Sequence, residues 1–161
     1  MSTVRIRQAG IADIPLIDAL NRKTLPENYP YETWVYLLAQ RHASFVAYEN
    51  DELVGYVIAI TQFDADTWHR TGHIVSLTVK PEARRRGIAT RLMRTSLEHV
   101  RDKLLLKSCT LNVNVNNDDA KRLYETLGFL VTKTRPQYYS DGSDAYDMKV
   151  LLPRLSKKSW R

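Results

Sequence analysis

Six consecutive residues, Arg84 to Ala89, have the types and spacing best suited to chemistry in this chain. They follow an apolar run from His73 to Val79 that is typical of a buried strand, and they open a stretch with helical periodicity. Gly87 and Ala89 are small enough to let an anion approach the backbone, where first-turn amides carry the positive end of the helix dipole. Arginine guanidinium groups supply paired donors for phosphate oxygens. The pattern predicts a phosphate-binding turn, although three arginines in a row are also common in solvated turns.

Composition indicates one soluble globular domain. The 161 residues are 43% hydrophobic and 26% charged, and we expect a domain over residues 1–153 followed by a basic, flexible tail over residues 154–161. The longest apolar run, residues 53–60, is far too short to span a bilayer, so no membrane partner is expected. The net charge of +6 fits an anionic partner and fits ordinary solubility as well. It gives no reason to expect sequence-specific nucleic-acid binding.

Hydrophobic periodicity predicts a mixed α/β order that would position the phosphate turn between a strand and a helix. The predicted helices are 11–23, 31–41, 88–104 and 117–127, with Asn117 as an N-cap. A polar loop is predicted over residues 64–70, and Asp141-Gly142 predicts the turn of a final hairpin. The predicted strands are 4–8, 44–49, 53–62, 73–79, 109–115, 129–139 and 145–152.

The segment from Thr71 to Phe129 resembles the GNAT superfamily of acyl-CoA N-acyltransferases, whose phosphate loop reads R/Q-x-x-G-x-G/A. Three further stretches, LPENY at 25–29, GHI at 72–74 and YYSDGSDAY at 138–146, are similar to the catalytic subunits of NatA-type N-terminal acetyltransferases. The resemblance covers about residues 4–152. It implies a mixed sheet of about seven strands flanked by about four helices, with acetyl-CoA in the cleft between the splayed fourth and fifth strands. The implied reaction is acetyl transfer to the α-amine of a protein's first residue.

The same resemblance implies which residues hold acetyl-CoA. Main-chain groups of Leu77, Thr78 and Val79 would hold the pantetheine arm like an added strand, and Asn117 would contact it as well. Tyr124 would lie near the thioester sulfur, where it could protonate the departing thiolate. Helix capping alone would also explain Asn117, and core packing would explain Tyr124. The pyrophosphate would be held by the phosphate loop, which comprises Arg84, Arg85, Arg86, Gly87, Ile88, Ala89 and Thr90.

Amine acidity restricts the acceptor chemistry. Only a neutral amine attacks a thioester, and an α-amine has a pKa of about 7.7 to 8.0 against about 10.4 for lysine. A mild base is therefore sufficient, and Glu27 or His73 could serve directly or through an ordered water; loop organisation and a structural histidine are the alternatives. Where the family commonly carries His or Glu, this chain has Asn112, which cannot act as a base. A covalent route through Cys109 is not expected, because its strand parity predicts burial.

Tyr29, Tyr138 and Tyr139 lie in the two segments expected to flank the peptide acceptor. Their hydroxyls could bind peptide backbone while their rings narrow the pocket, which favours small first residues such as Ser, Ala, Thr or Gly. Surface aromatics covering a hairpin would have the same pattern. No metal site is expected, since no His, Cys or carboxylate cluster has convincing spacing.

Three classes of function stay open at this point. The sequence favours an N-terminal acetyltransferase acting on protein N-termini, as a monomer or with an auxiliary subunit. A GNAT enzyme for a small amine or internal lysine is the second class, and a non-enzymatic acyl-CoA or ribosome-binding module is the third. A single cysteine predicts a reducing, cytoplasmic setting, and the basic tail could support ribosome association.

Overall fold

The computed structural model of the chain describes residues 2–153, which form one mixed sheet covered by helices on both faces. The sheet has the order β1-β2-β3-β4-β5-β7-β6, and every neighbouring pair is antiparallel except β4 and β5. This arrangement confirms the predicted fold class. The strands are β1 Arg5–Gln8, β2 Phe45–Glu49, β3 Glu52–Asp64, β4 His69–Val79, β5 Ser108–Asn114, β6 Leu130–Arg135 and β7 Ala145–Leu151, and the helices are α1 Ile14–Thr24, α2 Tyr31–Ala39, α3 Ile88–Asp102 and α4 Asp118–Thr126.

Two apolar cores lie on the opposite faces of the sheet. The helices α1 and α2 cover one face, where Trp34 and Tyr56 are fully buried and pack edge to face. The other core includes the apolar stripe of α3 and the inward residues of β5, among them Leu92 and Leu111. Alternation along β5 places Cys109 in this second core, as its parity predicts. Burial raises the pKa of its thiol to about 12.

The parallel strands β4 and β5 separate soon after they meet. Their backbones pair only from Gly72 to Ile74, opposite Cys109 to Leu111, although β4 continues to Val79 and β5 continues to Asn114. The register of β3 and β4 shifts between Ile58 and Ala59, so Val75 bulges from β4 without a direct partner. This bulge lies at the point where β4 begins to separate from β5. Beyond it the two strands diverge and leave a cleft between them, as the predicted splay requires.

Two predicted boundaries were wrong. The structure places part of the predicted polar loop 64–70 in strands, because β3 and β4 stay paired as far as Asp64 opposite His69. The tip of this ribbon is stabilised by an edge-to-face contact between Phe63 and Trp68. Both faces of this part of the ribbon are exposed to water, so polar side chains are compatible with strands here.

The final hairpin is also shorter on its first strand than predicted. The strand β6 ends at Arg135 instead of reaching Tyr139, because Pro136 has no amide to donate and Gln137 adopts a positive φ of 51°. The predicted turn at Asp141-Gly142 lies inside a longer loop, where the Gly142 amide donates to the carbonyl of Tyr139 at 2.9 Å.

No helix within residues 2–153 is both long and apolar enough to cross a membrane. The basic tail predicted over residues 154–161 lies outside the described residues.

The close packing of β4 against α3 at Gly72 gives a stability prediction. A Cβ on Gly72 would lie 2.9 Å from Val100 Cγ1 and 3.3 Å from Cys109 Sγ, so Gly72→Ala is expected to lower the free energy of unfolding by about 1–3 kcal/mol. Urea unfolding followed by circular dichroism measures this. The matched control is Gly10→Ala, where an added Cβ meets nothing within 4 Å. Equal stabilities of the two variants would contradict the packing argument.

Candidate active site

The cleft between β4 and β5 has an open backbone edge on one wall. From Ser76 to Val79, β4 is paired with β3 on one side and has no strand partner on the other. Leu77, Thr78 and Val79 lie on this stretch. Backbone groups alternate along a strand, so those of Leu77 and Val79 point away from β3 and toward the cleft, whereas those of Thr78 pair with β3. An extended ligand could pair with this edge as an additional strand would.

The predicted phosphate turn follows directly after this edge. Arg85 and Gly87 both have positive φ, 61° and 75°, and Gly87 is the N-cap of α3. An added Cβ on Gly87 would meet nothing within 4 Å, so glycine is favoured here by its backbone conformation and not by lack of space. The first helical bond of α3 runs from the Arg91 amide to the Gly87 carbonyl. The amides of residues 85–90 therefore have no acceptor within the described part of the chain, which makes this turn a candidate anion site.

Arg84 and Arg85 differ in what their side chains contact. Arg84 Nε donates to the carbonyl of Val79 at 2.9 Å, which ties the turn back to the end of β4. Arg85 is exposed, and its side chain makes no hydrogen bond or ion pair within residues 2–153. Its guanidinium is thus available to an anionic ligand.

The third arginine, Arg86, is held by Glu49 at the end of β2. Arg86 donates from Nη1 to Glu49 Oε1 at 3.0 Å, and Glu49 also accepts from the Ser2 hydroxyl at 2.8 Å. The Arg86 guanidinium holds the pKa of Glu49 at about 2. We interpret Arg86 as a strut that fixes the turn.

The ring of Tyr124, on α4, is buried. The side chain is 9% exposed and packs edge to face against Phe129 at 6.0 Å. Its hydroxyl has no hydrogen bond within the described residues, yet none of their fully buried side-chain polar atoms lacks a partner. The hydroxyl is therefore in contact with accessible space. Burial raises the pKa of Tyr124 to about 12, so the phenol is protonated at neutral pH.

Asn117 caps α4, as predicted. Its side-chain oxygen accepts from the Ala120 amide at 3.2 Å, which leaves the Nδ2 group without a protein acceptor among residues 2–153.

His73 lies at the base of the cleft, where β4 and β5 still pair. Its Nδ1 lies 2.8 Å from the Thr110 hydroxyl, which is also 3.4 Å from the carbonyl of Gly72. When that hydroxyl donates to the carbonyl, it accepts from Nδ1–H and leaves Nε2 as the basic nitrogen. Burial lowers the pKa of His73, against a smaller opposing effect of Asp147. The ring is consequently neutral at pH 7.

The two predicted acceptor segments come together beside Tyr124. Burial raises the pKa of Tyr139, and the negative charge of Glu27 raises it further, with smaller effects from Tyr138, Tyr124 and Tyr29. These side chains therefore share one electrostatic environment. The four predicted acceptor-side residues and Tyr124 therefore lie near one another, and the rings of Tyr138 and Tyr139 are in direct contact.

A buried asparagine that sequence reasoning missed anchors the Glu27 loop. Asn21 is fully buried, and its Nδ2 donates to the Glu27 carbonyl at 3.1 Å and to the Tyr56 hydroxyl at 3.0 Å. Its oxygen accepts from Asn28 Nδ2 at 2.9 Å. The Tyr56 hydroxyl in turn lies 2.8 Å from Ser76 Oγ on β4. An asparagine on the apolar face of α1 was the available signal, since buried amides need partners.

A second polar group that sequence reasoning missed lies on β7. Asp147 stands opposite Asn112 in the pairing of β5 and β7, and Asn112 Nδ2 donates to its Oδ1 at 2.6 Å. Arg135 Nε lies 2.8 Å from both carboxylate oxygens. Alternation along β7 would have placed Asp147 on the same face as Asn112 had the register been known.

No group of three or more His, Cys, Asp or Glu side chains that could hold a metal occurs within residues 2–153.

Comparison with known proteins agrees with this geometry. The model of the acetyltransferase (GNAT) family matches residues 12–129. An N-alpha-acetyltransferase of Sulfurisphaera tokodaii is 38% identical over 92% of this chain and 93% of its own length. The N-terminal acetyltransferase A complex catalytic subunit NAA10 of Arabidopsis thaliana is 36% identical over 92% of this chain and 78% of its own. The crystal structure of Ard1 from Thermoplasma volcanium superposes with a TM-score of 0.84 and 27% identity, over 94% of this chain and 99% of that one.

The asparagine anchor predicts a local effect on the Glu27 loop. Asn21→Leu removes the buried partners of the Glu27 carbonyl and the Asn28 amide, so the free energy of unfolding should fall by about 1–3 kcal/mol. Amide hydrogen exchange over residues 25–29 should also become faster, as mass spectrometry can measure. Asn116→Leu is the matched control, because that side chain is exposed and makes no hydrogen bond with residues 2–153. Unchanged exchange in the loop would show that Asn21 does not anchor it.

Proposed function

Because the chain belongs to the acetyltransferase (GNAT) family, we propose that it transfers the acetyl group of acetyl-CoA to the α-amino group of protein N-termini. The names of its relatives support N-terminal acetylation. The observation that carries the proposal is the open backbone edge of β4, followed directly by a turn whose amides have no acceptor within residues 2–153. Tyr124, Glu27 and Tyr29 lie near enough to Tyr139 to affect its pKa. A donor-side acid and an acceptor-side loop are thereby within reach of one reacting centre.

Acetyl-CoA is the co-substrate of this family, and the residues present fit it. The open edge at Leu77, Thr78 and Val79 would hold the pantetheine arm through backbone hydrogen bonds. The unpartnered amides of residues 85–90 and the Arg85 side chain would hold the pyrophosphate. Asn117 would contribute its Nδ2 group. When bound, acetyl-CoA supplies an acyl group activated as a thioester.

The protein's own groups would handle the protons of a direct transfer. As the amine nitrogen bonds to the acyl carbon and the carbon–sulfur bond breaks, the amine proton passes to Glu27, to His73 Nε2 or to an ordered water. Tyr124 gives its proton to the departing sulfur and regains one from solvent. Cys109 takes no part in this mechanism, because its thiol is buried and its pKa is raised to about 12. The amine and acetyl-CoA therefore react in one ternary complex.

Tyr29, Tyr138 and Tyr139 would bind the first residues of the acceptor peptide. The rings of Tyr138 and Tyr139 meet edge to face at 5.0 Å, and the Tyr29 ring packs edge to face on Trp34 at 5.1 Å. Rings held in this way form stiff pocket walls. We therefore propose a preference for small first residues, namely Ser, Ala, Thr and Gly.

The biological setting of this activity stays a prediction. The Arabidopsis relative is named as a subunit of a complex, which supports an auxiliary subunit for this chain. Ribosome association and a cytoplasmic location follow only from the basic tail and the single cysteine.

The acceptor class is tested with purified protein, acetyl-CoA and short peptides that begin with Ser or Ala. We expect acetylation of the free α-amine, detected by mass spectrometry, and no reaction of the same peptides with a blocked N-terminus and a free lysine. The physical reason is that a lysine amine costs about 3.5 kcal/mol more to deprotonate at neutral pH. Activity on the lysine or on polyamines would instead favour a different GNAT enzyme, and CoA binding without turnover would favour a binding module.

Tyr124→Phe is expected to lower kcat about 100-fold, because it removes the proton donor to the leaving sulfur. The KM for acetyl-CoA should change little, since the hydroxyl makes no other contact within residues 2–153. Steady-state kinetics on a Ser-starting peptide measures both constants. Tyr146→Phe is the matched control, because that ring contacts the Lys121 ammonium group and its hydroxyl makes no hydrogen bond within residues 2–153. A kcat for Tyr124→Phe equal to that of the control would remove Tyr124 from the mechanism.

A further inference from the structure

The polar contacts of Asn112 fix the orientation of its side-chain amide. Asn112 Nδ2 donates to Asp147 Oδ1 at 2.6 Å, and a carboxylate only accepts hydrogen bonds. The reversed amide would bring two oxygens together and is therefore excluded at this distance. Arg135 Nε makes a bifurcated hydrogen bond to both oxygens of the Asp147 carboxylate, and the Asp147 side chain is 19% exposed. As a result, Asn112 Oδ1 must point away from Asp147.

The oxygen that is turned away from Asp147 faces the acceptor end of the cleft. Its contact there is a long hydrogen bond of 3.4 Å from the Tyr138 hydroxyl, and Tyr138 is 49% exposed. Such a contact is weak and easily displaced. Tyr138 also belongs to the electrostatic neighbourhood of Tyr139 and Glu27. In the free enzyme, the Asn112 oxygen therefore accepts a weak hydrogen bond that an incoming donor could replace.

The position of Asn112 along β5 places it in the cleft wall. It follows directly after Leu111, the last residue of β5 that pairs with β4. Its side chain shares a face with Thr110, which holds His73. Asn112 therefore lies between the candidate base and the tyrosines of the acceptor segments.

We propose that Asn112 Oδ1 binds the α-amine of the acceptor and that Asp147 is a positioning residue that keeps this oxygen facing the cleft. This inference rests on the proposed function. A neutral oxygen accepts a hydrogen bond from the amine without stabilising the ammonium form as a carboxylate would. It orients the nucleophile while the proton leaves by another group. Asn112 separates the amine from the charge of Asp147, and Arg135 balances that charge.

The test compares the full chain with three variants on a Ser-starting peptide. Asn112→Leu should lower kcat/KM for the peptide by about tenfold or more, the worth of one hydrogen bond to the reacting group, with the KM for acetyl-CoA unchanged. Asp147→Asn should lower it by a smaller factor, because an amide partner permits both orientations of Asn112. The matched control is Arg135→Gln, which removes the same ion pair and leaves the carboxylate facing Asn112. Its loss of kcat/KM should be smaller than that of Asp147→Asn, because the carboxylate that orients the Asn112 amide is still present.

The exchanged double variant, Asn112→Asp with Asp147→Asn, separates positioning from general damage. It restores an acceptor oxygen that faces the cleft and a hydrogen bond across the two strands, so its activity should exceed that of Asp147→Asn alone. The new charge beside the amine should also raise the pH at which kcat/KM is half-maximal. A structural role alone would not move this pH profile.

Three results would overturn the inference. They are a parent-like kcat/KM for Asn112→Leu, equal losses in Asp147→Asn and Arg135→Gln, and a double variant no better than Asp147→Asn. If the parent chain binds acetyl-CoA but acetylates no peptide, the proposed function fails instead. The two failures are therefore distinguishable by the activity of the parent chain. Urea unfolding of each variant identifies any loss that comes from instability.

Discussion

The divergence of two parallel strands is the constraint on which the rest of the structure depends. β4 and β5 share only three paired positions, and each then follows a different antiparallel neighbour, β3 or β7. The bulge at Val75 lies where they part. One open backbone edge results, and the turn that follows it presents a row of unpartnered amides. Both features can bind a ligand that is extended at one end and anionic at the other.

Hydrogen bonds between separate elements hold the turn before α3 and the Glu27 loop. Glu49 of β2 holds Arg86 of the turn, and Asn21 of α1 holds the Glu27 loop while it contacts Tyr56. Buried hydrogen-bond networks of this kind contribute little net stability, but breaking one leaves an expensive unpaired group. They therefore favour one arrangement of the turn and the loop over others.

Apart from Glu27 and the arginines of the turn before α3, the side chains assigned to the candidate site are neutral or ion-paired. Burial keeps Tyr124 protonated and His73 unprotonated at neutral pH, and Asn112 is neutral by nature. Its neighbour Asp147 is neutralised by Arg135. Such a site suits a nucleophile that must lose its charge before it reacts, because few fixed charges hold the ammonium form in place.

The amino-acid sequence by itself determined the order of the helices and strands, the turn at Gly87 that opens α3 and the cap at Asn117. Those features depend on local patterns: apolar periodicity for the elements, glycine at a positive φ for the turn at Gly87 and a side-chain cap at Asn117. Only the tertiary structure decided where β4 leaves β5, which of the three arginines is free and which way the Asn112 amide points. These depend on pairs such as Arg86 with Glu49 and Asn112 with Asp147, which lie 37 and 35 residues apart. A local pattern carries no record of strand register, and register brings these partners together.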